Sequence, residues 1–367
     1  MRERVVVGMF SGMRRNRGIP GNRWRVRTAA SLVCVVLMSA ALPSCGGNST
    51  SEVKPSPVPS WKLGPSVTIE RPRGIAVSPD GRRVYVANEA ALDSDFGSIS
   101  VIDAATASVA AIIPHVSDPE SIALTTDGRQ AYVIGKAFSV VDTQSNTVTT
   151  ITEETSGDDI VISPDGRRAY IYYGRSGGMA VIDLGTYSTA LIGTPGFAEA
   201  IATAPDGSRI YAATHDENGL SVIDSVTNKP TAMVRLPGDP RGLVVSPDGK
   251  YAYVTYRNSK DPKRHGVAVI DTQKKAIAST ISTADAPTAI ALSPDGRYAY
   301  VTIANKTSNA ITMIDTATKS TTATLPINGI PWYVAISPNG RRAYVSVSSS
   351  EPPVQEIPGH LQVINID

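Results

Sequence analysis

The sequence predicts an all-β protein, a seven-bladed β-propeller built from four-stranded antiparallel blades. Three observations support this prediction: an Asp-Gly turn signal that recurs seven times, with Asn in place of Asp once, a tyrosine at a fixed distance after each signal, and an apolar-apolar-acid landmark in every repeat, with an amide in the last. Successive turn signals lie 47, 38, 41, 42, 47 and 44 residues apart. This period is typical of one four-stranded blade per repeat.

The turn signal usually stands within Ser-Pro-Asp-Gly. Its copies, each followed by Gly, are Asp80, Asp127, Asp165, Asp206, Asp248, Asp295 and Asn339. Asp and Asn cap tight turns with their own side chains, and Gly accepts positive φ. We therefore assign each copy to the hairpin between the first strand of a blade, A, and the second, B. Five residues later stand tyrosines that we expect to pack between blades with the hydroxyl reaching a partner: Tyr85, Tyr132, Tyr170, Tyr211, Tyr253, Tyr300 and Tyr344.

The second landmark ends the third strand, C, and begins the turn into the fourth, D. Its copies end at Asp103, Asp142, Asp183, Asp224, Asp271, Asp315 and Asn365. In the first blade, short β-branched runs predict strands at 74–78, 84–88, 99–103 and 109–113. The acids are interpreted as turn caps rather than as functional groups.

Variation in length is confined to one loop of the repeat. From each landmark acid to the next turn signal the interval is 23 or 24 residues, whereas from each turn signal to its own landmark it ranges from 15 to 26. The variation therefore falls in the loop between strands B and C, to which we assign His215, His265 and His360. Insertions confined to one face of a repeat array often mark the binding face.

Ring closure is also predicted. The last landmark, at Asn365, has no fourth strand after it. Residues 65–72 have the pattern of a strand D and its exit loop, so we expect this N-terminal strand to pair into the last blade. Closure removes the exposed sheet edges that invite aggregation.

The repeats resemble those of the YVTN-repeat β-propeller family, known from archaeal surface-layer and bacterial secreted proteins. Tyr253-Val254-Thr255-Tyr256 and Tyr300-Val301-Thr302-Ile303 come closest to the motif that names the family, and the resemblance covers about 65–367. It implies a propeller fold. That fold is similar to bacterial lactonase-type propellers, but none of their catalytic motifs can be placed on this sequence.

Residues 1–44 have the pattern of a secretory signal peptide. An Arg-rich stretch precedes a 14-residue apolar run at 29–42. This run is shorter than the ~20 residues that a membrane-spanning helix needs, so a cleaved signal peptide is favoured and an uncleaved membrane anchor is the alternative. Leu42-Pro43-Ser44-Cys45 resembles the lipobox of bacterial lipoproteins, which implies lipidation of Cys45. Ordinary signal cleavage nearby, which gives a secreted protein, is the alternative. Residues 45–60, rich in Gly, Ser and Pro, are expected to tether the propeller domain at 61–367 to the membrane.

Charge and cysteine content narrow the function classes. Eight Arg and one Glu precede the apolar run, and without them 27 basic and 32 acidic residues remain. This mature net charge near −5 argues against nucleic-acid binding. Cys34 lies in the leader, so Cys45 is the only Cys of the mature chain, and neither a disulfide nor a thiolate metal site is expected.

Seven residues are predicted to stand around the mouth of the central channel, where each strand A begins. They lie seven residues before each turn signal: Arg73, Glu120, Asp158, Glu199, Arg241, Thr288 and Trp332. Because these positions differ from blade to blade, they are candidates for ligand binding. The three acids could converge on a divalent cation. Alternatively, Arg73 and Arg241 could hold an anionic or sugar-like ligand beside Trp332. A solvated mouth with balanced charges is the third interpretation.

Three functions remain open from the sequence. The first is a monomeric binding module, tethered outside the cytoplasm, that docks a protein, peptide or glycan. The second is a lactonase- or lyase-type enzyme that uses the acids at the mouth as a metal or general-base site. The third, a cell-wall structural component, follows from the family resemblance. No catalytic residue is identifiable, and apart from the possible cation no cofactor is expected.

Replacement of Cys45 by Ala is expected to abolish incorporation of a labelled fatty acid, because lipidation requires the thiol. Cys34→Ala, in the apolar run that is removed, serves as the matched control and should label as the wild type does. Labelling that persists in Cys45→Ala would show that the tether is not a lipid at this position.

Overall fold

A computed structural model describes residues 58–91, 93–153, 155–173, 178–194, 196–259, 261, 264–305, 308–348 and 358–367. The predicted signal peptide, Cys45 and the tether up to residue 57 lie outside these residues. The described chain forms 28 strands in seven four-stranded antiparallel sheets, which confirms the predicted seven-bladed propeller. Across these ranges no helix has the length and apolar character needed to cross a membrane.

The strands are numbered in chain order, and each blade runs from an innermost strand A to an outermost strand D. The A strands are β2 (Pro72–Val77), β6 (Pro119–Leu124), β10 (Asp159–Ile162), β14 (Ala198–Thr203), β18 (Asp239–Val245), β22 (Pro287–Leu292) and β26 (Ile330–Ile336). The B strands are β3 (Arg83–Asn88), β7 (Gln130–Gly135), β11 (Arg168–Tyr172), β15 (Arg209–Thr214), β19 (Tyr251–Arg257), β23 (Tyr298–Ile303) and β27 (Arg342–Ser348).

The outer half of each blade consists of the C and D strands. The C strands are β4 (Phe96–Asp103), β8 (Ala137–Asp142), β12 (Met179–Asp183), β16 (Gly219–Asp224), β20 (Gly266–Asp271), β24 (Ala310–Asp315) and β28 (Gly359–Ile366). The D strands are β5 (Ser108–Ser117), β9 (Thr147–Glu153), β13 (Thr189–Ile192), β17 (Lys229–Arg235), β21 (Ala276–Ser282), β25 (Ser320–Pro326) and, from the start of the chain, β1 (Trp61–Ile69).

The turn signal works as predicted. In the first blade the Ser78 hydroxyl donates to Asp80 Oδ1 at 2.6 Å, and the Arg82 amide donates to the same oxygen at 3.0 Å. Gly81 has φ of 70°, a conformation that glycine adopts without steric cost. The turn holds β2 against β3, and equivalent bonds recur in the other blades.

The landmark acids cap the turn between strands C and D. Asp103 Oδ1 accepts hydrogen bonds from the amides of Ala105 at 2.9 Å and Thr106 at 2.8 Å, and from the Thr106 hydroxyl at 2.9 Å. These bonds hold the pKa of Asp103 below its ordinary value, with the Thr106 amide as the largest cause. The carboxylate therefore has a structural role, as the sequence indicates.

The seven tyrosines lie in the apolar layers between blades, which are the core of the molecule. Each is between 1 and 4% exposed. Tyr85 of the first blade belongs to the same buried cluster as Ile122 and Val133 of the second. Because each blade covers its neighbour in this way, burial of apolar area links every blade to the next.

Four arginines bind neighbouring blades together on the opposite side of the disc from the channel mouth. Each is the first residue of a strand B, and its side chain donates a hydrogen bond to a backbone carbonyl in the C–D turn of the next blade. The pairs are Arg83 with Thr143 at 2.9 Å, Arg168 with Ser225 at 2.8 Å, Arg209 with Thr272 at 3.2 Å, and Arg342 with Ala104. The last pair joins the seventh blade to the first.

The predicted closure of the ring is confirmed. β1 pairs with β28 as the outermost strand of the last blade, with Leu63 opposite Ile364 and Thr68 opposite His360. The Gln362 side chain adds a hydrogen bond to the Gly64 carbonyl at 3.0 Å. The pairing begins at Trp61, four residues before the predicted start, because the strand continues past a bulge between Leu63 and Ser66.

The D–A and B–C connections share one face of the disc, which we call the loop face. Backbone bonds link them: Glu89 N donates to Arg71 O at 3.0 Å and His215 N to Phe197 O at 2.6 Å. The B–C loops range from one residue at 136 to ten at 349–358. One assignment was wrong: His360 lies on β28 rather than in the loop, because that strand begins at residue 359.

Loss of one inter-blade bridge is expected to destabilise the fold. Arg168→Ala removes a charged donor and leaves the partly buried Ser225 carbonyl without it, so the free energy of unfolding should fall by about 1–3 kcal/mol. Its exposed neighbour Arg167 is the matched control, and Arg167→Ala should change stability by less than about 0.5 kcal/mol. Urea denaturation of both variants measures the difference. Equal stabilities would contradict a role for the bridge.

Candidate functional site

The seven residues predicted to ring the channel lie where the innermost strands begin, on the loop face. Six stand in strands A, and Asp158 directly precedes β10. Each strand A also contacts the strand A of the next blade, so the seven positions form one continuous rim. We call this set the rim residues: Arg73, Glu120, Asp158, Glu199, Arg241, Thr288 and Trp332.

A β-bulge accompanies six of the seven rim residues. The A–B register shifts at 72–75, 119–121, 198–200, 240–243, 287–290 and 331–333, and each interval contains a rim residue. A bulge takes a residue out of the ladder and redirects its side chain. A proline precedes the rim residue in five of these repeats, and since proline donates no ladder hydrogen bond it suits the start of such a strand.

Arg73 is held in a network of its own blade and both neighbours. Its Nε and Nη2 donate to Glu89 Oε2 at 2.9 and 2.6 Å, and its Nε lies 3.7 Å from Glu120 Oε2. Its guanidinium also covers the Trp332 ring, 5.4 Å from the centroid. Burial alone would lower the pKa of Arg73, but the charges of Glu120 and Glu89 outweigh it and raise the pKa. Arg73 is thus engaged by protein groups.

Trp332 and Thr288 serve the scaffold. Trp332 is 8% exposed, and its Nε1 donates to Ser348 Oγ at 2.9 Å. With Arg73 over its ring, it offers no open face for a sugar. Thr288 is 3% exposed and its hydroxyl lies 2.7 Å from that of Thr302. The geometry therefore does not favour a ligand held between Arg73 and Trp332.

Glu89, Glu120 and Asp158 form an acidic sector of the rim. Burial is the largest cause that raises the pKa of Glu120, to about 7. Arg73 lowers it, and Glu89, Asp158 and Asp118 raise it further. A carboxyl group with this pKa exists in both protonation states near neutral pH.

Behind the acidic sector stands a fully buried carboxyl, Asp159. Its Oδ1 accepts from the Ser121 hydroxyl at 3.1 Å and from the Ile160 amide at 2.9 Å, and its Oδ2 accepts from the Ile201 amide at 3.2 Å. These bonds join the innermost strands of three consecutive blades. Burial raises the pKa of Asp159 well above its ordinary value despite them. Asp159 is a structural group because it is 0% exposed.

Glu199, Arg241 and Arg257 form the opposite sector, which carries more positive charge. Arg241 Nη1 lies 3.4 Å from Glu199 Oε2, and both side chains are about 15% exposed (14% and 16%). Arg257 ends β19 opposite Asp239, which lies two residues before Arg241 on strand A of the same blade. Burial is the largest cause that lowers the pKa of Arg257 to about 10, and the positive charge of Arg241 is the second. We call Arg241 and Arg257 the arginine pair.

Two charged residues of the candidate site escaped the sequence analysis, Glu89 and Arg257. Both stand four residues after a conserved-spacing tyrosine, Tyr85 and Tyr253, where strand B reaches the loop face. In other blades the residue at this position, four after the tyrosine, is Lys136, His215, Ala304 or Ser348. Comparison of this position between the repeats would have shown that its residue varies from blade to blade, as the rim residues do.

The structure gives no support to the cation hypothesis. Among the described residues, no group of three or more His, Cys, Asp or Glu side chains is arranged to hold a metal ion. Glu120 and Glu199 lie against Arg73 and Arg241, respectively. Their carboxylates are therefore already neutralised in part by arginine.

Comparison with known proteins establishes the fold and a partial family match. The family model of the choice-of-anchor I domain matches residues 64–200, less than half of the chain. No curated protein matches the sequence. Among solved structures, the chain is similar to a chain of hydrazine synthase from Kuenenia stuttgartiensis, with 22% identity, a TM-score of 0.67, and coverage of 82% of this chain and 96% of that one. At this identity the likeness shows the propeller fold alone.

Ionisation of Glu120 is expected to reduce stability as pH rises. Its folded pKa of about 7 lies above the ordinary value of 4.5, so the stability gained by retaining the proton is complete at low pH and is lost as pH rises through 7. The wild type should lose up to about 3 kcal/mol relative to Glu120→Gln between pH 5 and 8. Urea midpoints measured across this range test it.

Glu70→Gln, at an exposed position, is the control and should keep the pH dependence of the wild type. Equal pH dependences of the wild type and Glu120→Gln between pH 5 and 8 would contradict this, because they would show that the Glu120 carboxyl is already ionised in the folded protein at pH 5.

Proposed function

We propose that the protein is an extracytoplasmic binding module that docks a protein, peptide or glycan on its loop face. The observation that carries this proposal is the contrast between the two faces of the disc. On the loop face, charged side chains differ from blade to blade and the B–C loops differ in length. A rigid scaffold that presents variable loops is a common arrangement for recognition.

The opposite face has the uniformity expected of a structural surface. Every A–B turn spans five residues, and the turn acid or amide accepts hydrogen bonds from its own turn wherever it occurs. The arginine bridges between blades lie on this side as well. Variation in this repeat protein is therefore concentrated where it does not disturb the contacts that hold the ring.

Attachment to the membrane is the second part of the proposal. The signal peptide pattern, the lipobox-like Cys45 and the Gly/Ser/Pro-rich tether support it. The match of residues 64–200 to a choice-of-anchor domain and the resemblance to YVTN-repeat surface proteins are in keeping with it. We infer that the propeller is a lipid-anchored monomer, held off the membrane by the tether, and that it does not bind nucleic acid.

A second candidate, an enzyme of lactonase or lyase type, is favoured by one observation. Glu120 combines a position at the channel mouth with a pKa of about 7, which is suited to a general base near neutral pH. Arg73 lies beside it at 3.7 Å. Turnover of lactone or uronate substrates that is lost in Glu120→Gln would favour the enzyme over the binding module.

Screening of glycan and peptide arrays with the tagged full chain tests the binding module. Because recognition is assigned to the loop face, Arg241→Ala should weaken each reproducible interaction at least ten-fold. Arg129→Ala removes the same charge from an exposed turn on the opposite face and should change nothing. Absence of any reproducible ligand, or equal effects of the two variants, would count against the proposed function.

A further inference from the structure

We propose that the arginine pair, Arg241 and Arg257, binds one carboxylate group of the ligand. This inference rests on the proposed function, since it assigns a ligand class to the loop face. It concerns a site that the sequence alone did not reveal, because Arg257 is not among the predicted rim residues.

The arginine pair has buried donors without partners. The Nε atoms of Arg241 and Arg257 are both buried, and neither has a hydrogen-bond partner among the described residues. Among the same residues Arg257 forms no direct ion pair, and Arg241 forms one, with Glu199 Oε2 at 3.4 Å. Burial of an unsatisfied charged donor is costly. A ligand carboxylate bound at the exposed part of the guanidinium groups would offset part of that cost.

Arg73 shows how the same scaffold treats an arginine that it satisfies itself. That residue stands at the equivalent position of the first blade, and its partner Glu89 stands at the position equivalent to Arg257. There the two side chains form a hydrogen bond of 2.6 Å. In the fifth blade an arginine replaces the glutamate. The carboxylate that Glu89 supplies in the first blade is therefore missing from the fifth, and a ligand carboxylate has the matching chemistry.

Local charge selects a carboxylate over a phosphate. Glu199, Asp285 and Asp239 are close enough to raise the pKa of Arg257, although burial and Arg241 outweigh them. With these three negative charges nearby, a monoanion is accommodated at lower electrostatic cost than a phosphate dianion. The planar guanidinium also matches the two oxygens of a carboxylate with parallel hydrogen bonds. The ligand class is thus a carboxylate-bearing molecule, such as an acidic sugar or an acidic peptide.

The test uses gluconate and glucose as probes, since they are of similar size and differ in charge. Isothermal titration calorimetry of the full chain at constant ionic strength should show weak binding of gluconate and at least ten-fold weaker binding of glucose and of phosphate. Arg257→Met and Arg241→Met should each weaken gluconate binding at least ten-fold. Arg257→Lys keeps the charge but loses the fork, and should also weaken binding several-fold.

Arg82→Met, which removes an exposed charge on the opposite face, is the matched control and should bind gluconate as the wild type does. Thermal unfolding midpoints show whether the variants fold. Arg257→Met should not lower the midpoint, because the buried Nε of Arg257 has no hydrogen-bond partner to lose. Equal affinity for gluconate and glucose, tighter binding of phosphate, or unchanged affinity in Arg257→Met would each overturn the inference.

The outcome is separable from that of the proposed function. Array ligands that depend on the loop face, together with no gluconate binding, would leave the binding module standing and reject the carboxylate site. Gluconate binding that requires the arginine pair supports the carboxylate site even where the arrays yield no ligand.

Discussion

Burial of apolar side chains between neighbouring blades is the constraint on which the whole structure depends. A single four-stranded blade exposes an apolar face on each side, and only the next blade covers it, as Tyr85 is covered by Ile122 and Val133. This requirement propagates around the disc until the last blade meets the first. The ring can satisfy it only when closed, and β1 supplies the strand that completes the seventh sheet.

In the closed ring, the face opposite the loop face carries the same contacts from blade to blade, whereas the residues of the loop face differ. The turn signals and the tyrosines repeat in every blade, and the bridging arginines in four, because each of them maintains a contact within a blade or between neighbouring blades. Residues at the start of strands A are released from the ladder by bulges next to prolines. Their identities consequently do not affect the pairing of the strands, and the rim can carry charges that would be unacceptable inside a sheet.

The rim brings opposite charges together in two sectors with different balances. Around Arg73 the acids outnumber the base, and one of them, Glu120, holds its proton more tightly because it is buried. Around Arg241 two arginines stand beside one directly paired acid, Glu199, and the charges of Asp239 and Asp285 also act on Arg257. Charges that are buried without full compensation are costly for folding. Their presence at the mouth of the channel, rather than on the uniform face, is in keeping with the recognition role that we propose for the loop face.

Sequence by itself determined the architecture: seven blades, the turns at Asp80 and Asp103, and the pairing of the first strand with the last blade. These features depend on local turn chemistry and on the alternation of short strands, both of which are written in consecutive residues. Only the tertiary structure decided which rim residues are available to a ligand. Trp332 and Thr288 are buried, Arg73 is satisfied by Glu89, and Arg257 joins Arg241. These outcomes depend on contacts between strands and blades that are distant in sequence, so no local pattern encodes them.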